Sequence, residues 1–579
     1  MTAVTLPLNK GFRLQLPLLP VGLLLALVLP GLCAQTPLLN EPHALILTEG
    51  CVLAIAGLSL NVLLGYAGQI SLGQYAFVGV GAFTTGLVTG VNDLRLPWAA
   101  GLVASAAVGG VIALLVGLPA LRLRGLYLAV VTISVAYAAS ESLFRVDWIG
   151  GGSAGKVVPP PYFGSHALST SVDALTIGLV LLVLLLQVDV NLVRSRVGRA
   201  FQVLKSDESV AASFGVDVAR YKLTAFVLSG AIAGIAGCLD GVAFGTVTGQ
   251  SFDYSHALAL LVIVVLGGLG SRTGIVIAAF LTTVYPPLLI ALFGDGFRGW
   301  DQTVNGIVLL LTVAFQPRGF AGAFRDAAEH RRMRAGGAPP LPPTRPHLPD
   351  LGRPAGMPAP RRTGTREPVL EARNISVRFG GLQAVDDAGL RIDRGTIVAL
   401  MGPNGAGKTT MFNALSGALA PDRGTVHFLG EDVSALPPHA RAARGMGRTF
   451  QLIGLAKEQS VYENLLIAQH LAAPYGVLPA LTSLGSRAWE RELRTRADRT
   501  LEGLGFGHFR DTPVGRLSHG QQRIVEIGCA LITSPELLML DEPSAGMSPA
   551  ASEDLAATLL DIRDQLGRTV LLIEHNVPL

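Results

Sequence analysis

The sequence predicts two structural classes on one chain: a polytopic α-helical membrane domain, then a soluble α/β domain with a phosphate-binding loop. Three observations predict it. Half of the 579 residues are hydrophobic and only 15% are charged, against about 25% charged in a typical soluble chain. Before residue ~320 the apolar residues gather in runs close to the ~20 that a helix needs to cross a bilayer core. Beyond residue 368 the apolar runs become short and continuous, with helical segments between them, the pattern of parallel strands buried on both faces.

The membrane domain is expected over residues 1–325. Apolar windows lie at 16–34, 45–64, 70–91, 98–118, 123–141, 174–190, 222–245, 257–270, 272–294 and 302–316. Some are short or rich in glycine, so about eight to ten spans are expected. Glycine permits close helix packing and broken helices. Lys10 and Arg13 precede the first run. That run reads either as a retained span or as a cleaved leader; Leu32 before Cys33 and the further spans favour retention. The polar interruption near 192–222 carries Arg194, Arg196, Arg199, Lys205, Arg220 and Lys222, which places it on the cytoplasmic side. Gln69, Ser71, Gln74, Glu141, Asp240 and Asp253 are candidates for a substrate path or for helix packing, and packing or interface placement is favoured for most of them.

Residues 326–368 are rich in Pro, Arg and Gly and cannot form a core, so they read as a tether. A net charge of +4 over this length implies no nucleic-acid partner. The four cysteines are scattered, which argues against a disulfide framework or a zinc site.

The soluble domain is expected over 369–579. VLEARNISVRF alternates like a half-exposed strand, and TIVALMG, LLMLDE and TVLLIEH read as buried parallel strands. GPNGAGKTT, from Gly402 through Asn404 to Thr410, fits the phosphate-loop pattern and lies between a strand and a helix. Gly405 and Gly407 let the backbone approach phosphates, and the helix N-terminus adds N–H groups and partial positive charge. Lys408 supplies a point charge for the β- and γ-phosphates, and the Thr409 hydroxyl is placed for Mg²⁺. Asp541 ends the strand LLMLD as a second Mg²⁺ ligand, and Glu542 is the general base that polarises water. As strand neighbours, the two acids are expected to point opposite ways.

LSHGQQ, with Ser518, Gly520 and Gln521, precedes Asp541 by about 20 residues and resembles the signature of the ATP-binding cassette (ABC) ATPases, usually LSGGQ. The resemblance implies that this signature contacts ATP held by an opposite ATPase subunit. It also implies that Gln451 in GRTFQ links Mg²⁺ to the membrane domain, that Phe379 stacks on adenine, and that His575 contacts the γ-phosphate. His519 replaces the usual glycine, and Ser548 stands where the family commonly has aspartate. The sequence stops at Leu579, where the family normally continues, so either the domain lacks its C-terminal cover or the sequence is a piece of a longer one.

NVLLGYAGQISLGQYAFVGVGAF, LRLRGLYLAVVTIS and VVLGGLGSRTGIVIAAF resemble the permease of branched-chain amino acid ABC importers, and TFQLIGLAKEQSVYENLLIAQH resembles the same system's ATPase. The resemblance therefore implies a fused permease and ATPase in a bacterial plasma membrane, with the ATPase cytoplasmic, in contact with membrane lipid. It would work with a second permease, a second ABC ATPase and an extracytoplasmic solute-binding protein. Its cofactors would be ATP and Mg²⁺, and its substrate a small hydrophobic amino acid. SDESVAASFG, with Asp207, Glu208 and Gly215, resembles the coupling loop that docks on the ATPase. An importer for urea, amides or another small solute stays open, as does, with less support, an exporter half-transporter. A membrane-anchored regulatory ATPase would need only one or two spans.

Overall fold

The computed structural model describes residues 18–34, 39–315 apart from 92, 122, 124 and 295–299, then 319, 322 and 368–574 apart from 548. The chain forms two compact units: residues 1–190 with 222–337, and residues 191–221 with 338–579.

In the first unit, each of the ten apolar windows contains a helix: α1 (Leu18–Cys33), α2 (Glu41–Leu60), α3 (Gln74–Thr89), α4 (Trp98–Ala120), α5 (Leu126–Glu141), α6 (Ser171–Arg194), then, after two short helices in the polar interruption, α9 (Val218–Phe244), α10 (Tyr254–Gly267), α11 (Arg272–Phe293) and α12 (Asp301–Phe315). Among the described residues, six helical stretches are long and apolar enough to cross a bilayer: Glu41–Tyr66, Trp98–Pro119, Leu126–Arg145, Ser171–Arg194, Val218–Phe244 and Arg272–Phe293. Helix α2 starts on Asn40, whose side chain accepts from His43 N at 3.0 Å, and runs into a π-helical turn over Asn61–Tyr66.

Small residues set the closest approaches. A Cβ on Gly81 would lie 2.3 Å from the Gly234 carbonyl oxygen, one on Gly109 2.4 Å from Gly230 O, and one on Gly237 1.9 Å from Val78 O. Helices α3 and α4 therefore each touch α9 backbone to backbone, which only glycine at these positions permits. Buried hydroxyls and amides lock the same region. Gln74 Nε2 donates to Ser229 Oγ at 2.7 Å and also to Ser59 Oγ, and Ser229 Oγ donates to Ser59 O at 2.7 Å. Gln74 thus has a helix-packing role. Glu141 pairs with Arg145 at 2.8 Å, and Asp253 caps α10 by accepting from Ser255 N at 2.9 Å. Asp189 on α6 accepts from Tyr66 Oη and pairs with Arg272, each at 3.0 Å. Gln69, Ser71 and Asp240 are buried.

The second unit holds two sheets. Strands β1 (Leu370–Phe379), β2 (Leu382–Ile392), β4 (Arg423–Phe428) and β5 (Glu431–Asp432) form an antiparallel sheet in the order β2-β1-β4-β5. Strands β3 (Ile397–Leu400), β6 (Met446–Arg448), β7 (Leu537–Asp541) and β8 (Thr569–Ile573) form a parallel sheet in the order β6-β7-β8-β3. Strands β7 and β8 are buried along their whole length, as continuous apolar runs require. Strand β3 departs from that expectation. It is one of the two edge strands of this sheet, pairs with β8 alone and has no buried residue.

The helices of this unit are α7 (Arg196–Ser206), α8 (Glu208–Ser213), α13 (Lys408–Ser416), α14 (Pro438–Arg444), α15 (Val461–Ala468), α16 (Val477–Thr482), α17 (Arg487–Gly503), α18 (His519–Leu531) and α19 (Pro549–Asp564). The polar interruption of the membrane half, Asn191–Tyr221, packs into this unit and supplies α7 and α8.

Candidate nucleotide site and its link to helix α8

The phosphate-loop sequence joins the C-terminal end of β3 to the start of α13. Gly405 and Gly407 adopt φ of +85° and +82°, the left-handed region that glycine reaches without strain. At Gly407 a Cβ would also lie 2.3 Å from the Ala384 carbonyl oxygen. Gly407 caps α13 without a side-chain bond, and the first turn, with Thr409 and Thr410, carries no acidic residue. Lys408 Nζ donates to Gly402 O and Pro403 O, both at 2.8 Å, which curls the ammonium over the loop. Asn404 is exposed in the same turn. Donors and a cation thus surround one loop, a fit for polyphosphate.

Strand register sets the spacing to the acids. Leu400 on β3 and Asp541 on β7 both pair with Ile573 on β8. The phosphate loop and Asp541 therefore leave the sheet at the same edge, about 10 Å apart, or two strand spacings. Asp541 is 3% exposed. Glu542 does not continue the strand as expected. Its φ is +45°, and its N–H donates to Ile573 O at 3.1 Å, so a left-handed turn rather than strand alternation directs the side chain. Gln451 Nε2 donates to Glu542 Oε2 at 3.2 Å, which brings those two together.

Sequence reasoning missed the residues that hold this arrangement. Arg523 on α18 is wholly buried and pairs with Glu526 at 2.6 Å. Its guanidinium donates to Phe450 O at 2.8 Å, Gln451 O at 3.2 Å and Glu542 O at 3.4 Å. Glu526 accepts from Gly454 N at 2.9 Å and Phe450 N at 3.3 Å. One buried ion pair thus fixes both ends of the loop that carries Gln451. Burial pushes the Glu526 carboxyl above its ordinary range, against the pull of the Arg523 charge. Arg448 donates to Asn413 Oδ1 at 2.6 Å and lies 5.0 Å from the ring centroids of both Phe412 and Phe450. Burial lowers its pKa to about 10, opposed by the charge of Asp541. The available signal was two opposite charges three apart on the inner face of an amphipathic helix, where apolar residues belong.

Ser518 caps α18 in a reciprocal box: Gln521 N donates to Ser518 Oγ at 3.4 Å, and Ser518 N donates to Gln521 Oε1 at 2.9 Å. Gln521 therefore has a local structural task. A Cβ on Gly520 would meet nothing within 4 Å. Phe379 ends β1 at 52% exposure. His575 and Ser548 lie outside the described residues.

In the segment Asn191–Tyr221, Asp207 Oδ1 accepts from Ser209 N at 2.6 Å and Val210 N at 3.1 Å, which caps α8; Glu208 is the first residue of that helix. Gly215 has φ +84°, and a Cβ there would lie 2.4 Å from Leu471 Cγ. Val210, Ala211 and Val216 are buried with Ala456 and Ile467, and Phe450 packs against them. A Cβ on Gly454 would lie 3.0 Å from Val210 Cγ2. Residues 450–454 thus touch Glu542 through Gln451 and α8 through Phe450 and Gly454.

Comparison with known proteins decides the family. Over 213 residues the chain is 42% identical to the high-affinity branched-chain amino acid transport ATP-binding protein BraF of Pseudomonas aeruginosa, covering 37% of this chain and 84% of BraF. The chain belongs to the ABC transporter family. The family's sequence model, ABC transporter, matches residues 385–545. A second, branched-chain amino acid transport system / permease component, matches residues 44–313. The ATP-binding protein LivG of Escherichia coli K12 is 39% identical over 214 residues, 37% of this chain and 84% of LivG. A nucleotide-free ATP-binding cassette from an ABC transporter is 34% identical with a TM-score of 0.32, covering 36% of this chain and 83% of that one. This ABC transporter chain is therefore a membrane protein that joins a permease component to an ATP-hydrolysing cassette.

Proposed function

We propose that the chain is a fused permease and ATPase subunit of an importer that carries branched-chain or other hydrophobic amino acids into a bacterial cell across its plasma membrane. One observation carries the reading. The permease match and a cassette similar to BraF and LivG, both named for branched-chain amino acid transport, occur on the same chain. A second permease, a second ATPase subunit and an extracytoplasmic binding protein complete the assembly.

In this reading Lys408 exchanges the carbonyls of Gly402 and Pro403 for phosphate oxygens, while the N–H groups of the loop and the start of α13 bind the rest of the polyphosphate. Phe379 offers its exposed ring to adenine. Thr409, Asp541 and Gln451 would hold Mg²⁺, and the buried Asp541 and the hydroxyl of Thr409 are hard oxygen donors of the right kind. Mg²⁺ would neutralise charge on the transferring phosphoryl group. The Glu542 carboxylate accepts a proton from the attacking water. His575 and the partner's signature, equivalent to Ser518, Gly520 and Gln521 here, close on the γ-phosphate. Movement at Gln451 reaches α8 through Phe450 and Gly454, because the Arg523–Glu526 pair makes that loop one rigid link. ATP drives transport only through its different affinity for the outward- and inward-facing states.

The test is reconstitution of the complete complex in vesicles with labelled leucine, urea and a short amide. ATP-dependent inward movement of leucine that requires the binding protein supports the reading. Movement of urea or the amide alone changes the substrate, and outward movement overturns the importer.

A further inference from the structure

Arg199 on α7 is only 3% exposed. Its guanidinium makes two parallel bonds to Glu490 of α17, at 2.9 and 2.8 Å, and a third to Arg194 O at 3.0 Å. Glu490 also accepts from Tyr475 Oη, and that same hydroxyl accepts from Arg196 N at 2.8 Å. The Arg196 side chain donates to Ala473 O and, at 3.3 Å, to Tyr221 Oη. Asn191 Nδ2 donates to Leu481 O at 2.7 Å. Every one of these cassette partners lies in the stretch 473–490 between α15 and the first turn of α17. The stretch is remote in sequence from the phosphate loop, the acids and the signature, and the catalytic reading gives it no task. Burial alone would lower the Arg199 pKa. The Glu490 charge and bonds outweigh it and hold the pKa above its ordinary value, so the cation persists.

We propose that residues 473–490 form a permease-recognition element, in which Glu490 and Tyr475 read Arg199 and Arg196 and so select the permease on which a cassette docks. The proposal rests on the reading of Asn191–Tyr221 as the coupling segment. Hydrophobic contacts such as those around Val210 tolerate many similar surfaces. A two-pronged ion pair with its cation buried does not. A permease without the arginine leaves the partly buried Glu490 without its cation, and a cassette without the acid leaves the buried Arg199 without its anion. An assembly of two permeases and two cassettes has wrong pairings to exclude. The guanidinium fork fixes orientation because it matches a carboxylate in one plane.

The experiment uses the full chain with a protease site inserted within residues 326–367 and an affinity tag on the N-terminal half. After purification and cleavage, release of the cassette from the immobilised permease half is timed, and nucleotide affinity of the uncut protein is measured alongside. Arg199→Gln or Glu490→Gln is expected to release the cassette about 30-fold faster or more, as for one partner of a buried charge pair. Arg199→Lys should fall between these and the wild type, because it keeps charge but loses the fork. The double exchange Arg199→Glu with Glu490→Arg should return to within about fivefold of wild type. Single variants that hold the cassette like wild type overturn the proposal. So does a double exchange no better than the singles when nucleotide affinity is normal. If a charge variant loses nucleotide binding, Tyr475→Phe replaces it: release about fivefold faster or more supports the proposal, and unchanged release overturns it. Loss of transport with normal cassette retention bears on the importer reading alone.

Discussion

Gln451 Nε2 and Glu542 Oε2 are 3.2 Å apart, so a residue proposed to hold Mg²⁺ is hydrogen-bonded to the proposed base. The bond ties the carboxylate to a loop that also touches α8.

If Glu542 is the base, Glu542→Gln keeps the shape and the bond to Gln451 but cannot take a proton. Nucleotide affinity should stay within about twofold and steady-state phosphate release should fall by about 10²–10⁴-fold. Turnover near wild type would remove Glu542 from that role.

Lys408→Ala removes the only cation assigned to the phosphates from this chain. Charge-assisted bonds contribute about 1.5–3 kcal/mol, so affinity for a fluorescent nucleotide should drop about tenfold to 150-fold. An unchanged titration would place the polyphosphate elsewhere.

Arg523→Met leaves Glu526 buried beside the Gln451 loop without its cation. Breaking such a pair costs about 3–5 kcal/mol, whereas replacing both residues with hydrophobic ones of similar volume recovers much of it. The Tm of the cassette transition should fall sharply in the single variant and rise again in Arg523→Met with Glu526→Leu. Phosphate release should remain low in both, because the loop has lost its clamp.

His470 is buried against Tyr221, ring centroids 5.2 Å apart, and burial together with Arg196 and Arg199 holds its pKa well below the ordinary value. The unfolded chain thus takes up a proton near pH 6.5 that the folded chain refuses. Its contribution is complete above about pH 6.5 and falls as pH drops below it, by up to about 1.4 kcal/mol per unit. The Tm of the cassette transition should decline between pH 6.5 and 5.5, and His470→Leu should flatten that slope.

Gly215→Ala forces a Cβ into a left-handed residue, at a cost of about 1–2 kcal/mol, and against Leu471. The expected outcome in vesicles is a lower number of solute molecules moved per ATP, with hydrolysis less affected. An unchanged ratio would mean that this turn does not transmit force.

Hydropathy alone found ten of the described helices of the membrane half and strands β7 and β8, because burial on all sides leaves an unbroken apolar run. The phosphate loop and acids were legible because their chemistry demands fixed residues next to a strand. Arg523, Glu526 and the pairing of Arg199 with Glu490 were not. A buried ion pair has the composition of a solvated surface, and its partner can lie 291 positions away. The left-handed turn at Glu542 was hidden for another reason: nothing in the residue type announces a backbone conformation that glutamate seldom takes.

Where Gly81, Gly109 and Gly237 meet the main chain of the neighbouring helix, no layer of side chains remains to re-pack or slide. Helices α3, α4 and α9 are consequently expected to travel as a single block through the transport cycle. The displacement that opens one face and shuts the other then falls to the rest of the bundle.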